Sequence, residues 1–518
     1  MSARVHSYDK RIQPLRLPRL CVPVIGDSAA EMLRKAEEVV KSNSFIELRL
    51  DYLRTPAQAL PPLKRFLDYH PQVTAIATCR RVPGGGKFRG SVASEVDLLT
   101  KAASAGCQII DVEIETAEAM KPAEYERLRS RATVVLSFHD FKGTRKLQET
   151  FSKMQAYPAD FYKVVSTATR LYDNVVMMRF LQEQSDRHSM VGLCMGEQGL
   201  ISRVLALRAG SSFTFASSGL GEETAPGQIT ARELRDIYRI DNLDAATRIY
   251  GVAGDPVAHS LSPVMMNSAF RRENVNAVYL GLHVKAISDL LECVNDIPVH
   301  GLSITMPYKE EIVPHLDNSD TLTRKSGACN TVVRMQSGQL YGFNTDVAGV
   351  IGALEAKTSL DSVKILVLGA GGAARSAVFG LKEKGAEVYI LNRTPAPAQK
   401  LARQAHAKVV KRTDLKKLVF DIIINATPIG MDSKASPLEL NEMNARFLLD
   451  MVYQVGETRL MKLARSKGIE VIPGTEMFVH QGARQFEIWT GKPAPVAEMR
   501  HAVVSTLERR AAQSSTAK

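Results

Sequence analysis

Short apolar runs recur along the first half of the chain at 21–25, 45–48, 74–78, 109–113, 133–137, 161–164, 190–194 and 212–216, and each has the length of a buried strand. The intervals between them are amphipathic. Within 31–40, for example, Met32, Leu33, Ala36, Val39 and Val40 repeat at helical spacing. Eight alternations of strand and helix in about 220 residues predict an α/β unit, a (β/α)8 barrel over 18–242 whose reactive groups gather where the strands end. A polar, unpatterned stretch at 240–248 separates this unit from a second, which opens with a strand at 249–252. Further on, a strand at 363–368 runs into Gly369, Ala370, Gly371, Gly372 and Ala373, then into a helical pattern at 374–381 and another strand at 387–391. The spacing Gly369, Gly371, Ala374 between strand and helix predicts a dinucleotide-binding lobe, where backbone amides and a helix N-terminus meet a pyrophosphate.

Composition narrows the class. A chain of 518 residues exceeds a single core, and 45% apolar with 24% charged residues is ordinary for a globular protein. No apolar run approaches the roughly 18 residues of a membrane span. The first twenty residues are basic but carry no apolar signal core, so a short retained tail and a cytoplasmic location are expected, or a plastid in a plastid-bearing cell. Six scattered cysteines with no CxxC pair fit a reducing compartment and neither a disulfide framework nor a metal site. The formal charge of +12 raises the question of nucleic acid, but basic and acidic residues are interleaved and the chain has one tryptophan, so anionic small molecules are the expected partners. Nothing points to an obligate protein partner.

Polar residues cluster at the ends of the barrel strands: Glu47 and Arg49, Arg80, Glu113, His139, Lys163, Arg203 and Gln228. Lys163 in ADFYKVV is the most informative. A lysine inside an apolar strand is desolvated, which favours the neutral, nucleophilic amine and suggests a Schiff base with a ketone. His139 in SFHDF could then move a proton at the adjacent carbon. Taken singly, each has a plainer reading: a snorkelling or ion-paired lysine, a satisfied histidine, a Glu47–Arg49 ion pair, an Arg203 that caps a helix. Joint placement on one barrel face argues for a site.

In the second unit, HSLSP offers Ser260 and Ser262, GLSITMPYKE offers Ser303, Thr305 and Lys309, and GACNT and GFNTD offer Asn330 and Asp346. Several neutral donors and acceptors suit a polyhydroxylated ring, and Lys309 with Asp346 is the matched acid–base pair. The plainer readings are a surface lysine and turn chemistry. At the end of the strand 387–391, Asn392, Arg393 and Thr394 stand where an NAD site would carry an acid, which favours the 2′-phosphate of NADP. Arg393 facing solvent is the alternative.

FIELRLDYL, SFHDF, FYKVV, MGEQGLISR and TAPGQI, in order over roughly 18–240, resemble the type I 3-dehydroquinate dehydratases. The resemblance implies that Lys163 forms the imine and His139 removes the proton and assists loss of the hydroxyl. It also implies that Glu47, Arg49, Arg80, Arg203 and Gln228 bind substrate, with Thr224 in place of a serine. The family's glutamate before a glycine pair is absent: RRVPGGGKF has Gly84 there, so Glu113 or Asp140 takes over the histidine, or the dehydratase is impaired.

HSLSP, NATPIGM (425–431), DMVY (450–453) and EMFVHQGARQFEIWTG resemble the shikimate dehydrogenases over roughly 249–505. That implies proton transfer by Lys309 and Asp346, and substrate held by Ser260, Ser262, Thr305, Asn330, Tyr453 and Gln481. It further implies NADP on Gly369 to Ala373, Asn392, Arg393, Thr394, Thr427, Met431 and Gly474. The implied unit is 248–510: a substrate lobe to about 350, a Rossmann lobe over about 351–475, and helices returning to the substrate lobe. Ser303 replaces a common asparagine, and Gln454 and Val455 replace proline after Tyr453. The whole reads as a fusion converting 3-dehydroquinate through 3-dehydroshikimate to shikimate. Mixed quinate/shikimate specificity, an aldolase-like lyase joined to a reductase, and an inactive NADP-responsive binding protein are the competing readings.

Overall fold

The computed structural model describes residues 17–516 except 220, 259, 298, 432–434 and 455. The basic amino-terminal segment, His259 of HSLSP and Val455 therefore lie outside the described residues. The chain divides between Ala245 and Ala246 into two compact units. Among the described residues no helix is long and apolar enough to cross a membrane.

The first unit is an eight-stranded parallel barrel in the order β7-β6-β5-β4-β3-β2-β1-β8. Its strands are β1 (Leu20–Val24), β2 (Phe45–Arg49), β3 (Thr74–Thr78), β4 (Ile109–Glu113), β5 (Thr133–His139), β6 (Phe161–Thr167), β7 (Met190–Met195) and β8 (Thr214–Phe215). The strand expected at 212–216 shrinks to two residues, because the segment before it leaves the ladder: Ser212 N–H donates to Met190 O at 2.7 Å and Ser211 Oγ accepts from Gly192 N–H at 3.2 Å. These bonds bring β7 and β8 together where no ladder joins them. β5 and β6 extend further than the apolar runs predict, so His139 is the last residue of β5.

Period-two alternation decides what fills the barrel. Cys21, Phe45, Ile76, Ile109, Val135, Val191 and Phe213 share one buried apolar cluster, against which Phe161 packs. Two residues further along their strands stand Glu47, Thr78, Asp111, Ser137 and Lys163, all buried. The interior therefore passes from an apolar plug to a charged layer toward the strands' carboxyl ends, the end at which such barrels carry their chemistry.

The second unit contains two sheets. One runs β10-β9-β11-β13-β14-β12 and the other β17-β16-β15-β18-β19-β20. The first comprises β9 (Arg248–Gly254), β10 (Ala277–His283), β11 (Val299–Ile304), β12 (Asn318–Ser319), β13 (Thr331–Arg334) and β14 (Leu340–Phe343). It is mixed, with β13 antiparallel to both β11 and β14. The second comprises β15 (Lys364–Leu368), β16 (Glu387–Leu391), β17 (Lys408–Val409), β18 (Ile422–Asn425), β19 (Phe447–Asp450) and β20 (Glu470–Pro473), all parallel. Its order reverses at β15, the crevice where doubly wound sheets bind dinucleotides. The helix Gly474–Thr490 follows β20, yet its Phe478, Phe486 and Trp489 share a core with Tyr250 of β9 and with Met265 and Phe270. Trp489 Nε1–H donates to Val332 O at 3.1 Å, tying that helix to the mixed sheet.

Candidate active sites

Lys163, third residue of β6, is 4% exposed. It is desolvated, as the flanking sequence predicts, but it is also paired with acids. Nζ donates to Asp111 Oδ2 at 2.8 Å and lies 3.6 Å from Glu47 Oε1 and 4.3 Å from the centre of the Phe215 ring. A buried ammonium without such partners would be strongly destabilising. Asp111 also accepts from Ser137 Oγ at 2.6 Å, and Glu47 accepts from Thr78 Oγ1 at 2.7 Å. Burial alone would raise the Asp111 carboxyl, but Lys163 and Arg80 outweigh it and hold it below the usual range. Asp111 was not anticipated. The available signal was its place two residues before Glu113 in IIDVE, which turns both carboxylates to the same face.

Beside this pair, the His139 side chain is 5% exposed and its buried Nδ1 has no hydrogen-bond partner. Burial, followed by the fields of Arg80, Lys163 and Arg49, pushes the imidazole well below its ordinary value, so it rests neutral. Glu113 Oε1 lies 3.5 Å from Nδ1 and accepts from Arg80 Nε at 2.9 Å. Burial pushes the Glu113 carboxyl up to about 8, opposed by Arg80 and reinforced by Asp111, Glu115 and Glu95. Asp140, the other acid near the histidine in sequence, accepts from Lys142 N–H at 2.8 Å and is engaged in its own turn.

Arg49 pairs with Asp51 through two bonds, of 2.9 and 2.8 Å, rather than with Glu47. Arg203 lies on the helix Leu200–Leu205 after β7 and is 1% exposed. Its Nη2 donates to Pro226 O at 3.1 Å, while its Nε is buried without a partner. Burial pushes this guanidinium down to about 10, with no carboxylate among the described residues opposing the shift. In the same loop Gln228 Oε1 accepts from Thr224 N–H at 2.8 Å and from Thr224 Oγ1 at 3.3 Å. Arg203, Thr224 and Gln228 are thus brought together, with an unpaired buried cation suited to an anionic ligand.

In the second unit Lys309 Nζ donates to Asp346 Oδ2. Asp346 Oδ1 accepts from Asn330 Nδ2 at 2.8 Å, and Asn330 Nδ2 reaches Gln481 Oε1 at 3.4 Å. Lys309, Asp346, Asn330 and Gln481 therefore form one connected cluster drawn from four segments of the chain. Thr345 N–H and Thr331 Oγ1 fix Asn330 Oδ1 at 2.7 and 2.9 Å, and Gln485 Nε2 bonds Thr331 Oγ1 at 3.0 Å. This supporting network went unread in the sequence, because its members are ordinary strand and helix polar residues. Ser262 opens the helix Ser262–Arg272, and its N–H donates to Ser260 Oγ at 3.2 Å. Ser303 is bound to Tyr279 Oη at 2.5 Å and donates to Gln485 Oε1 at 2.8 Å, so it is buried structure. Thr305 continues from β11, its N–H donating to Ala253 O at 2.9 Å. Tyr453 packs at a tilt against Phe478, ring centres 4.8 Å apart, and burial pushes its hydroxyl up to about 12.

The glycine turn follows β15. Gly369 has φ +112°, a conformation that glycine adopts freely, and a Cβ there would lie 3.1 Å from Ala426 O. A Cβ at Gly371 would meet nothing within 4 Å, so the space above the turn is open where the helix Gly372–Glu383 begins. A Cβ at Gly372 would lie 3.5 Å from Lys309 Cβ, which sets the turn against the lysine of the first cluster. Ala370 and Ala373 flank the same turn, half-buried. After β16, Asn392 Nδ2 donates to Thr394 O at 2.8 Å while Arg393 is exposed, and no acid stands there. Thr427 Oγ1 donates to Asn425 Oδ1 at 2.7 Å, Met431 is exposed, and Gly474 opens the helix that carries Gln481. An open glycine turn at a helix N-terminus and a cation in place of an acid fit a 2′-phosphorylated dinucleotide.

Residues 20–245 match the type I 3-dehydroquinase family. Residues 252–332 match the shikimate dehydrogenase substrate binding domain, 352–444 the shikimate/quinate 5-dehydrogenase family and 474–504 the shikimate 5'-dehydrogenase C-terminal domain. The chain is 32% identical over 503 residues, 92% of its length and 82% of the relative's, to the chloroplastic bifunctional 3-dehydroquinate dehydratase/shikimate dehydrogenase of Arabidopsis thaliana. It is 37% identical to the NADP(+) shikimate dehydrogenase of Pyrococcus furiosus, covering 52% of this chain and 99% of that one. Among solved structures, the shikimate 5-dehydrogenase of Thermus thermophilus, in complex with NADP(H) and shikimate, is 35% identical with a TM-score of 0.47, over 51% of this chain and 100% of that one.

Proposed function

Because the chain belongs to the family of fused type I 3-dehydroquinate dehydratases and NADP-dependent shikimate dehydrogenases, we propose that Lys163 with His139 carries the first reaction and Lys309 with Asp346 the second. Residues 18–242 then house the dehydratase and 248–510 the dehydrogenase. Mixed quinate specificity and an inactive barrel are not favoured.

In the barrel, Asp111 or Glu47 takes a proton from Lys163, and the freed amine attacks the ring ketone of 3-dehydroquinate. Loss of water leaves the imine. Neutral His139 removes a proton from the adjacent carbon and returns it to the departing hydroxyl, which leaves as water. Hydrolysis restores the lysine and releases 3-dehydroshikimate. Arg203 holds the ring carboxylate, with Arg49, Arg80, Thr224 and Gln228 around the ring.

In the second unit, Gly369 to Ala373, Asn392, Arg393, Thr394, Thr427, Met431 and Gly474 would hold NADPH, which supplies a hydride to the ring carbonyl carbon. Lys309 gives the carbonyl oxygen its proton, and Asp346 orients the ammonium through their bond. Asn330 and Gln481 fix Asp346, while Ser260, Ser262, Thr305 and Tyr453 hold the ring and its carboxylate. Small acids are the partners of both sites. The chloroplastic relative supports a plastid where the source cell has one.

The observation that carries this reading is a lysine 4% exposed, bound to Asp111 and beside a neutral histidine at the carboxyl end of a parallel barrel. Full-length chain given 3-dehydroquinate and NADPH is expected to form shikimate. Lys163→Ala should stop that flux but still reduce added 3-dehydroshikimate. Unchanged flux from 3-dehydroquinate in the variant would overturn the assignment.

A further inference from the structure

We propose that Glu113 is the positioning residue of His139, and that Gly84 exists to leave room for it. The inference rests on the roles given above to Lys163 and His139. Glu113 ends β4 and His139 ends the neighbouring β5, with the carboxylate 3.5 Å from an Nδ1 that is buried and otherwise without a partner. That distance is long for a hydrogen bond, as such contacts often are before substrate closes the site. Among the described residues Glu113 is the one carboxylate within ion-pair distance of His139, and the other acids of this layer are engaged elsewhere. Asp111 holds Lys163 and Ser137, Glu47 holds Thr78, Asp51 holds Arg49, and Asp140 is tied to its own turn.

Gly84 lies in the short 3₁₀ turn Val82–Gly84 that covers this end of β4. A Cβ built there would stand 2.0 and 2.5 Å from the two carboxylate oxygens of Glu113. Any side chain at 84 would therefore displace the Glu113 carboxylate from its place beside the imidazole. The turn is itself held down. Arg80 Nε binds Glu113 at 2.9 Å, Arg81 Nε pairs with the buried Glu95 at 2.8 Å, and Gly84 N–H donates to Arg81 O at 3.0 Å. A carboxylate accepting from Nδ1–H would fix the tautomer whose Nε2 lone pair is free to remove the substrate proton. Position 84 and position 113 are thus alternative sources of one carboxylate.

The test is a swap, measured on the full-length chain as dehydratase kcat and KM, with imine trapping by borohydride alongside. Glu113→Gln, nearly isosteric, and Glu113→Ala should each lower kcat by about 10²-fold with KM changed only a few-fold, while the Lys163 adduct still forms. Gly84→Glu alone should lower kcat as well, because two carboxylates then contend for one space. Combining Gly84→Glu with Glu113→Ala should recover at least tenfold over Glu113→Ala. Wild-type kcat in Glu113→Gln, or a double variant that traps substrate yet turns over no faster than Glu113→Ala, would overturn the proposal. A double variant that does not trap substrate would overturn it also, since it denies that the two positions are interchangeable. Absence of an adduct in the unmodified chain would instead sink the Lys163 assignment on which the proposal stands.

Discussion

The two sites use the same pair of residue types, lysine bonded to aspartate, in opposite settings. In the barrel the side chains of Lys163 and Asp111 are 5% and 1% exposed; in the second unit those of Lys309 and Asp346 are 18% and 5% exposed. The difference follows from the work assigned to each amine. Under the role proposed above, Lys163 must shed its proton inside the protein, and Glu47, 3.6 Å away, is a second carboxylate beside Asp111 that can receive it, with Phe215 as a dry wall. A lysine that gives up a proton once per turnover must regain it, and partial exposure provides that route. The supporting shells differ accordingly. Charged residues from successive strands surround Lys163, whereas a network of neutral amides and hydroxyls around Asn330 fixes Asp346.

Removing one amine at a time separates the sites most sharply. Lys309→Ala should lower shikimate dehydrogenation by about 10²- to 10⁴-fold and leave NADPH binding, followed by nucleotide fluorescence, and dehydratase turnover as they were. Parallel loss of NADPH affinity would mean that the lysine belongs to the cofactor site, which the closeness of Gly372 makes a real alternative.

Arg203→Met probes the other kind of buried cation, one with no acid opposite it among the described residues. Losing charge-assisted bonds of about 1.5–3 kcal/mol predicts a KM for 3-dehydroquinate roughly 10- to 100-fold higher. The thermal midpoint should hold or rise, because an unpaired buried charge is removed. A fall in the midpoint with KM unchanged would make Arg203 a structural residue.

If Glu113 positions His139, the pH dependence of the barrel follows Glu113, which faces Arg80, Asp111, Glu115, Glu95 and His139. Its carboxyl is pushed up to about 8, so below that pH it is largely protonated and no longer offers the imidazole N–H a charged acceptor. Dehydratase kcat/KM should therefore rise about tenfold per unit as pH approaches 8, then level off. Glu113→Gln should lose that limb, whereas a limb unchanged in the variant would assign it to another group. The smallest effect is expected at the rim of the nucleotide lobe. Arg393→Ala should weaken NADPH by about tenfold and leave NADH unaffected, and equal loss for both would remove Arg393 from the 2′-phosphate.

The two units also differ in how much of each was legible in the sequence. The barrel strands, with Lys163 upon one of them, follow from apolar runs, whereas His139 reads as lying just past its strand, which in fact extends to include it. Asp111 was missed because an acid in the middle of IIDVE does not declare its face until the inward face of its strand is known. The choice between Glu113 and Asp140 was equally closed, since it depends on what fills the space above Gly84, which no spacing reports. The Glu47–Arg49 pairing yields to Arg49–Asp51 because the chain turns at Leu50–Tyr52 and folds Asp51 back onto the guanidinium. In the second unit, motif strings place Lys309, Asp346 and the glycine turn in order along the chain. Their meeting depends on the sheets and on the helix Gly474–Thr490, which carries Gln481 to Asn330 across 151 residues of sequence.

The central claim is that Lys163 attacks the substrate ketone, and covalent capture tests it directly. Full-length chain incubated with 3-dehydroquinate, reduced with borohydride, digested and mass-mapped is expected to carry the reduced adduct on Lys163 alone. An adduct on another lysine, or none with active enzyme, would contradict it.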